Sequence, residues 1–221
     1  MSRYLVVFLI LCLFGCDSEE VRRDRFFLRG NVALDQNNLD EAIRNYSLSI
    51  QLDNSFALAY NNRGVAKIKD NRPAEAIQDY NEAIAIKNDY YESIGNRAHA
   101  YDQISRYRKS LDDWDILVKV FPDSAELLIS VGLVQAKMTR FEEAIVTFEK
   151  YLEKKPGDDE VIVNLAIAHF YQGEVPEAEN ALKEAIKINS KNAHAQNALS
   201  QVSIGKGELN KALELVGAAL E

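Results

Sequence analysis

Small residues recur along this chain at one fixed interval, and that interval restricts the fold more than any other feature. Gly30, Gly64, Ala98, Gly132, Ala166 and Ser200 stand 34 residues apart. Twelve residues after each lies a second small residue, at Ala42, Ala76, Ser110, Ala144, Ala178 and Ala212. Four residues further on come Tyr46, Tyr80, Trp114, Phe148, Leu182 and Val216, all large and apolar. A register kept without slippage marks a repeat architecture, in which each unit buries its apolar face only by stacking on its neighbours. The spacing predicts two helices per unit. Small residues at the eighth and twentieth places let the first helix (A) and the second (B) approach closely, and the large residue at the twenty-fourth fills the space toward the next unit. Pro73 and Pro176 fall at the starts of B helices, where a missing N–H is harmless. Pro122 and Pro156 fall just past their ends, where they forbid continuation. Asn37-Asn38, Asp70-Asn71 and Gly173-Glu174 supply the polar turn within a pair.

This small, small, aromatic, proline pattern resembles the tetratricopeptide repeat family. Tyr60-Asn61-Asn62-Arg63-Gly64 and Ala76-Ile77-Gln78-Asp79-Tyr80 carry the likeness most clearly. The resemblance implies an all-α fold, a right-handed superhelical solenoid of six helix pairs, with repeats at 23–56, 57–90, 91–124, 125–158, 159–192 and 193–221. It also implies a scaffold without catalytic activity that holds partner proteins or peptides in its concave groove. The sixth repeat ends inside its B helix without a polar cap, which such arrays usually need. That end is open to two readings, a partner or self-association surface (homo-oligomerisation through the last repeat) or a frayed terminus.

In the family the groove is lined from helix A. A subfamily that binds the tails of chaperones uses Lys, Asn, Asn, Lys and Arg there to clamp a carboxylate. The matching places here hold Phe27, Asn31, Asn62, Glu92 and Asn96. The asparagines agree and the three cations are missing, so the clamp is not carried over. Asn31, Asn62 and Asn96 remain candidates for bonding an extended peptide backbone, because each amide both donates and accepts. His99 falls on the same face. Further along, Ile129, Leu133, Val163, Ile167, Phe170 and Tyr171 form an apolar stripe suited to docking a partner helix or strand. Arg29, Arg63 and Arg97 also recur at the repeat interval. The family pattern pairs such an arginine with an acid of its own B helix, here Asp79 for Arg63 and Asp113 for Arg97, a good match for a planar guanidinium.

Composition excludes several other functions. A net charge of −8 argues against nucleic acid, which needs clustered Lys and Arg to displace counterions. Cys12 and Cys16 are the only cysteines, so the body has no disulfide framework, zinc site or thiol nucleophile. His99, His169 and His194 lie in different repeats without ligand spacing, so no metal or cofactor is expected. No phosphate loop, nucleophile elbow or zinc-protease motif is present.

The start of the chain reads as an address. Met1-Ser2-Arg3 is followed by the apolar run Tyr4 to Phe14, a helix of about 17 Å, too short to span a bilayer and suited to a signal peptide. Leu13-Phe14-Gly15-Cys16 then resembles the lipobox of bacterial lipoproteins, although Phe14 is bulkier than the family's usual occupant. The resemblance implies a signal peptide at 1–15, lipidation of Cys16, a short tether at 16–22 and a repeat body at 23–221. The expected place is the bacterial cell envelope, held to a membrane by acyl chains, with other envelope proteins or peptides as partners. Asp17 resembles an inner-membrane retention signal, whereas Glu19 and Glu20 resemble a surface-export signal, so the leaflet stays open. Related envelope lipoproteins assist pilus secretin assembly, outer-membrane protein insertion or peptidoglycan-hydrolase regulation. A carbohydrate-active enzyme or accessory is the rival from another class.

Overall fold

The structure, a computed structural model, describes residues 18–219. Twelve α-helices follow one another in that span: α1 (Glu19–Asp35), α2 (Leu39–Leu52), α3 (Ala57–Lys69), α4 (Pro73–Ile86), α5 (Tyr91–Gln103), α6 (Tyr107–Val120), α7 (Glu126–Lys137), α8 (Phe141–Lys154), α9 (Asp159–Gln172), α10 (Val175–Ile188), α11 (Ala193–Gly205) and α12 (Leu209–Ala219). The architecture is the all-helical repeat that the spacing predicts. The signal segment 1–15 and Cys16 lie outside the described residues. Residues 19–22, which the sequence pattern gives to a linking segment, are helical. Glu19–Arg22 already form the first turn of α1, because the Ser18 hydroxyl accepts the Val21 N–H at 3.2 Å and two glutamates sit at the positive helix end.

The chain forms two compact units, one ending at Ile104 with α1–α5 and the other starting at Ser105 with α6–α12. In the first unit each helix packs on its chain neighbour, and the A helices also meet, α1 with α3 and α3 with α5. In the second, α7 meets α9 and α9 meets α11 in the same way. Each unit therefore has a face built from A helices alone.

The core explains the repeating small residues. A Cβ added at Gly30, Gly64 or Gly132 would lie 2.6, 2.5 and 2.5 Å from the rings of Tyr46, Tyr80 and Phe148. Each ring occupies space beside its own A helix that a Cβ would need, a position that only glycine leaves open. The rings then pack on the next pair: Tyr46 joins a cluster with Ala66, Tyr80 one with Ala100, and Phe148 one with Val161 and Ala168. Where the large residue is Leu182, the small one is Ala166, and the two share a core cluster.

The expected ion pair of the second repeat is present. Arg63 donates to Asp79 through Nε at 3.0 Å and Nη2 at 2.6 Å, and Lys67 reaches the same carboxylate at 2.7 Å. Arg63 also donates to Ser47 of the preceding B helix at 3.0 Å. Arg97 makes the equivalent backward contact, donating to Asn81 at 2.8 Å. The arginine thus fastens its repeat to the one before it.

The turn inside each pair bends at one place in the repeat. Asn37, Asn71, Ser105, Thr139, Gly173 and Gly207, again 34 apart, all have positive φ. Left-handed backbone suits glycine, is tolerated by asparagine, and costs other residues about 1–2 kcal/mol. Thr139, at φ 59° and β-branched, is the worst fitted of the six. Replacing it with glycine is expected to stabilise the fold by about 1 kcal/mol after the greater freedom of an unfolded glycine is subtracted. A rise in the urea midpoint at unchanged slope would register that gain.

Candidate functional site

The two A-helix faces have different chemistry. In the first unit, asparagines dominate and are bonded to one another. Tyr46 and Asn62 both donate to Asn31 Oδ1, at 2.8 and 3.0 Å. Asn61 donates to Asn62 and to Glu92, each at 3.2 Å, and accepts from Ser93 at 2.7 Å and Asn96 at 3.1 Å. The result is a continuous polar seam across α1, α3 and α5. Burial pushes the Tyr46 phenol up to about 12, with the Asn62 side chain opposing the shift, so it stays a neutral donor.

The seam changes the reading of the candidate residues. Asn31, Asn62 and Asn96 lie on one face as expected, but their amides hold neighbouring A helices together. The centre of the seam is Asn61, which is fully buried and is not among the residues that the sequence pattern singles out. Its sequence signal is weak, because Asn61 reads like its neighbour Asn62 until the α3–α5 contact is known. Phe27 is half-buried in an aromatic cluster, 5.9 Å from Tyr46 and 5.1 Å from Phe56 between ring centroids. His99 is exposed and borders a depression of about 420 Å³ with Lys69, Tyr80, Asn96 and Asp102.

In the second unit the A-helix face is apolar. Leu133, Ile167 and Tyr171 are exposed, and Ile129 and Phe170 are half-buried. Val163 is not on the surface. It is 3% exposed and sits in the core with Ile162, Ala166 and Leu182, because its place in the helix faces the α9–α11 contact. The aromatic residues form a group: Tyr171 stacks on Phe141 of α8 with centroids 5.3 Å apart and planes 16° off parallel, and Phe170 meets Tyr171 edge-on at 5.7 Å. Beside them a cavity of about 230 Å³ opens between α9, α10 and α11. Ala166, Leu182 and Val202 form its buried floor, Ile167, Phe170, Tyr171 and Ala198 its walls, and His194, Asn197 and Gln201 its rim.

A wider, more open depression of about 910 Å³ lies on α1 and α2, where Val21, Leu28 and Val32 are exposed among Arg25, Arg29, Arg44, Asp24 and Glu41. Among the described residues no three His, Cys, Asp or Glu side chains converge as a metal site. No described helix is long and apolar enough to cross a membrane.

Comparison with known proteins agrees with this architecture. Models described as tetratricopeptide repeat match residues 57–90, 96–159 and 133–202, and one described as TPR repeat matches 30–71. No curated protein matches the chain in sequence. Similar solved structures include MamA, 20% identical over 78% of this chain and 94% of that one, with a TM-score of 0.71. YrrB, described as a TPR protein with an unusual peptide-binding site, is 20% identical over 78% and 89%, also at 0.71. PilF of Pseudomonas aeruginosa is 18% identical over 90% of each chain, at 0.67. At these identities the likeness establishes the fold.

Proposed function

The chain belongs to the tetratricopeptide repeat family, and on that premise we propose that it is a scaffold without catalytic activity, anchored to the bacterial cell envelope by a lipid on Cys16 and binding partner proteins or peptides on its A-helix faces. The observation that carries the binding role is the second unit's face. It presents Leu133, Ile167, Tyr171 and Ile204 to solvent beside a preformed apolar cavity. Exposed apolar side chains beside a concave apolar site support an interaction surface. Catalysis would need a nucleophile, base and stabilising donors brought together. Two of the carboxylates that bear shifts are instead tied up structurally: hydrogen bonds from Asn192 and Asn189 hold Asp159 below its ordinary range, and Arg72 does the same for Glu75.

The anchor rests on the leader and lipobox pattern. A body that begins at Glu19, with Asp17 and Ser18 as the whole link from Cys16, would be held close to the bilayer. Confinement to a surface raises the effective concentration of any partner in the same layer. Assistance to pilus, secretin or outer-membrane assembly is one form of this role.

Mass spectrometry of the mature N-terminus from membranes of expressing cells tests the anchor. The expected product begins at Cys16 and carries acyl chains, while Cys16→Ala leaves the chain unacylated and released from the membrane fraction. An unmodified Met1 on soluble protein would refute the anchoring.

A further inference from the structure

The two A-helix faces differ in how far their polar groups are committed. In the first unit Asn31, Asn61, Asn62 and Asn96 are bonded to one another. In the second unit Asn197 and Gln201, one turn apart on α11, are both exposed and their side chains make no hydrogen bond among the described residues. They stand on the rim of the cavity between α9, α10 and α11. A carboxamide carries both donor and acceptor, as does a peptide group, so an exposed pair at this spacing matches an extended backbone.

The cavity itself selects a side chain. A void of about 150 Å³ with an apolar lining holds benzene. The space here is about 230 Å³, enough for a ring and the carbon that carries it. Leu182, Ala166 and Val202 at the floor offer only carbon, so a polar group buried there would lose its hydrogen bonds to water. At the wall, Phe170 and Tyr171 are already set edge-to-face, and Tyr171 is 64% exposed with its stacking partner Phe141 behind it. Aromatic pairs gain an increment beyond the area they bury, which favours a ring over an aliphatic chain of similar size.

We propose that this cavity takes one aromatic side chain of an extended partner segment, while Asn197 and Gln201 bond the peptide groups on either side of it. The inference deepens the scaffold reading and rests on it. It places recognition on α9–α11, and assigns the asparagine seam of α1–α5 to structure. Specificity then comes from a single apolar anchor and two backbone contacts, so partners sharing an exposed aromatic residue in an extended stretch compete for the same place.

The test uses N-acetyl-L-phenylalaninamide, a ring with a peptide group on each side, titrated into the full mature chain with isoleucine methyls labelled for NMR. Saturable shifts are expected at Ile167 and at the side-chain amides of Asn197 and Gln201, and none at Asn31, Asn62 or Asn96. N-acetyl-L-alaninamide, which lacks the ring, is expected to leave Ile167 unmoved. Ala198→Leu fills the cavity and should abolish the shifts. Should that variant fold poorly, Asn197→Ala and Gln201→Ala change only exposed side chains, and each should weaken binding about five-fold, the loss of one net hydrogen bond. An unmoved Ile167, or equal response to both probes, overturns the pocket while leaving partner binding elsewhere on the scaffold intact. Shifts centred on Asn62 and Asn96 also overturn it, and would return peptide recognition to the first unit.

Discussion

Replacing Phe148 with alanine is expected to destabilise the chain by about 3–5 kcal/mol, and the same change should reverse the sign of a second substitution at Gly132. Phe148 is fully buried, and its ring reaches both its own A helix and the residues Val161 and Ala168 of the next. Losing it removes the transfer free energy of the ring and leaves a cavity that packed helices close only in part. Gly132→Ala alone adds a methyl 2.5 Å from Phe148 Cε1. That overpacking costs about 1–3 kcal/mol, against a helix-propensity gain of at most about 1 kcal/mol, so the single variant should be less stable than the parent. In the Phe148→Ala background the ring is gone, the methyl enters vacated space, and Gly132→Ala becomes stabilising. Denaturant titrations of the four proteins give the coupling directly. Simple additivity would mean that the ring does not rest on the glycine backbone.

The second large effect concerns Asp79. It is 3% exposed and bonded to both Arg63 and Lys67, whose side chains are themselves 18% and 11% exposed. Asp79→Ala strands two cations in a desolvated place, and the expected loss is about 3–5 kcal/mol. The chain itself shows how the same space is filled without charge. The places of Arg63 and Asp79 are held by Val131 and Thr147 in the fourth repeat, and by Leu165 and Ala181 in the fifth. Arg63→Leu, Lys67→Ala and Asp79→Ala combined should therefore recover most of the loss, because well-packed apolar groups commonly match or exceed a buried ion cluster. If the triple variant is as unstable as Asp79→Ala, the cluster contributes binding energy of its own beyond mutual neutralisation. Thermal or urea midpoints of the two variants separate these results.

Much of the fold was readable because a repeat states each packing requirement several times. A single glycine beside an aromatic residue sixteen places on is uninformative, whereas the same arrangement at Gly30, Gly64 and Gly132 identifies a close helix contact. The shared left-handed turn was only half visible. Asn37, Asn71 and Gly173 suggest it, but Ser105 and Thr139 have no preference for that conformation, and there the surrounding helix pair imposes it.

The binding face was less legible, for a physical reason. Whether a residue on helix A meets solvent depends on whether another A helix packs on that side, as α5 does on Asn61 and α11 on Val163, whereas Asn197 lies on the last A helix described. Asn61 and Val163 occupy the same repeat place as the exposed Asn197, and yet both are buried. The cavity was invisible as a unit, because its lining comes from three helices and includes Ala198, Leu182 and Val202, which look like ordinary core. Ile167, Phe170 and Tyr171, on one helix, were the part a sequence pattern could reach.

The most direct test of the scaffold is photocrosslinking in expressing cells, with a photoreactive amino acid placed at position 171, at position 201, or at 149 on the exposed side of α8. Discrete protein adducts from 171 and 201, absent from 149, are the predicted result. Equal labelling from all three positions, or adducts from 149 alone, would contradict the assignment of partner binding to the A-helix face.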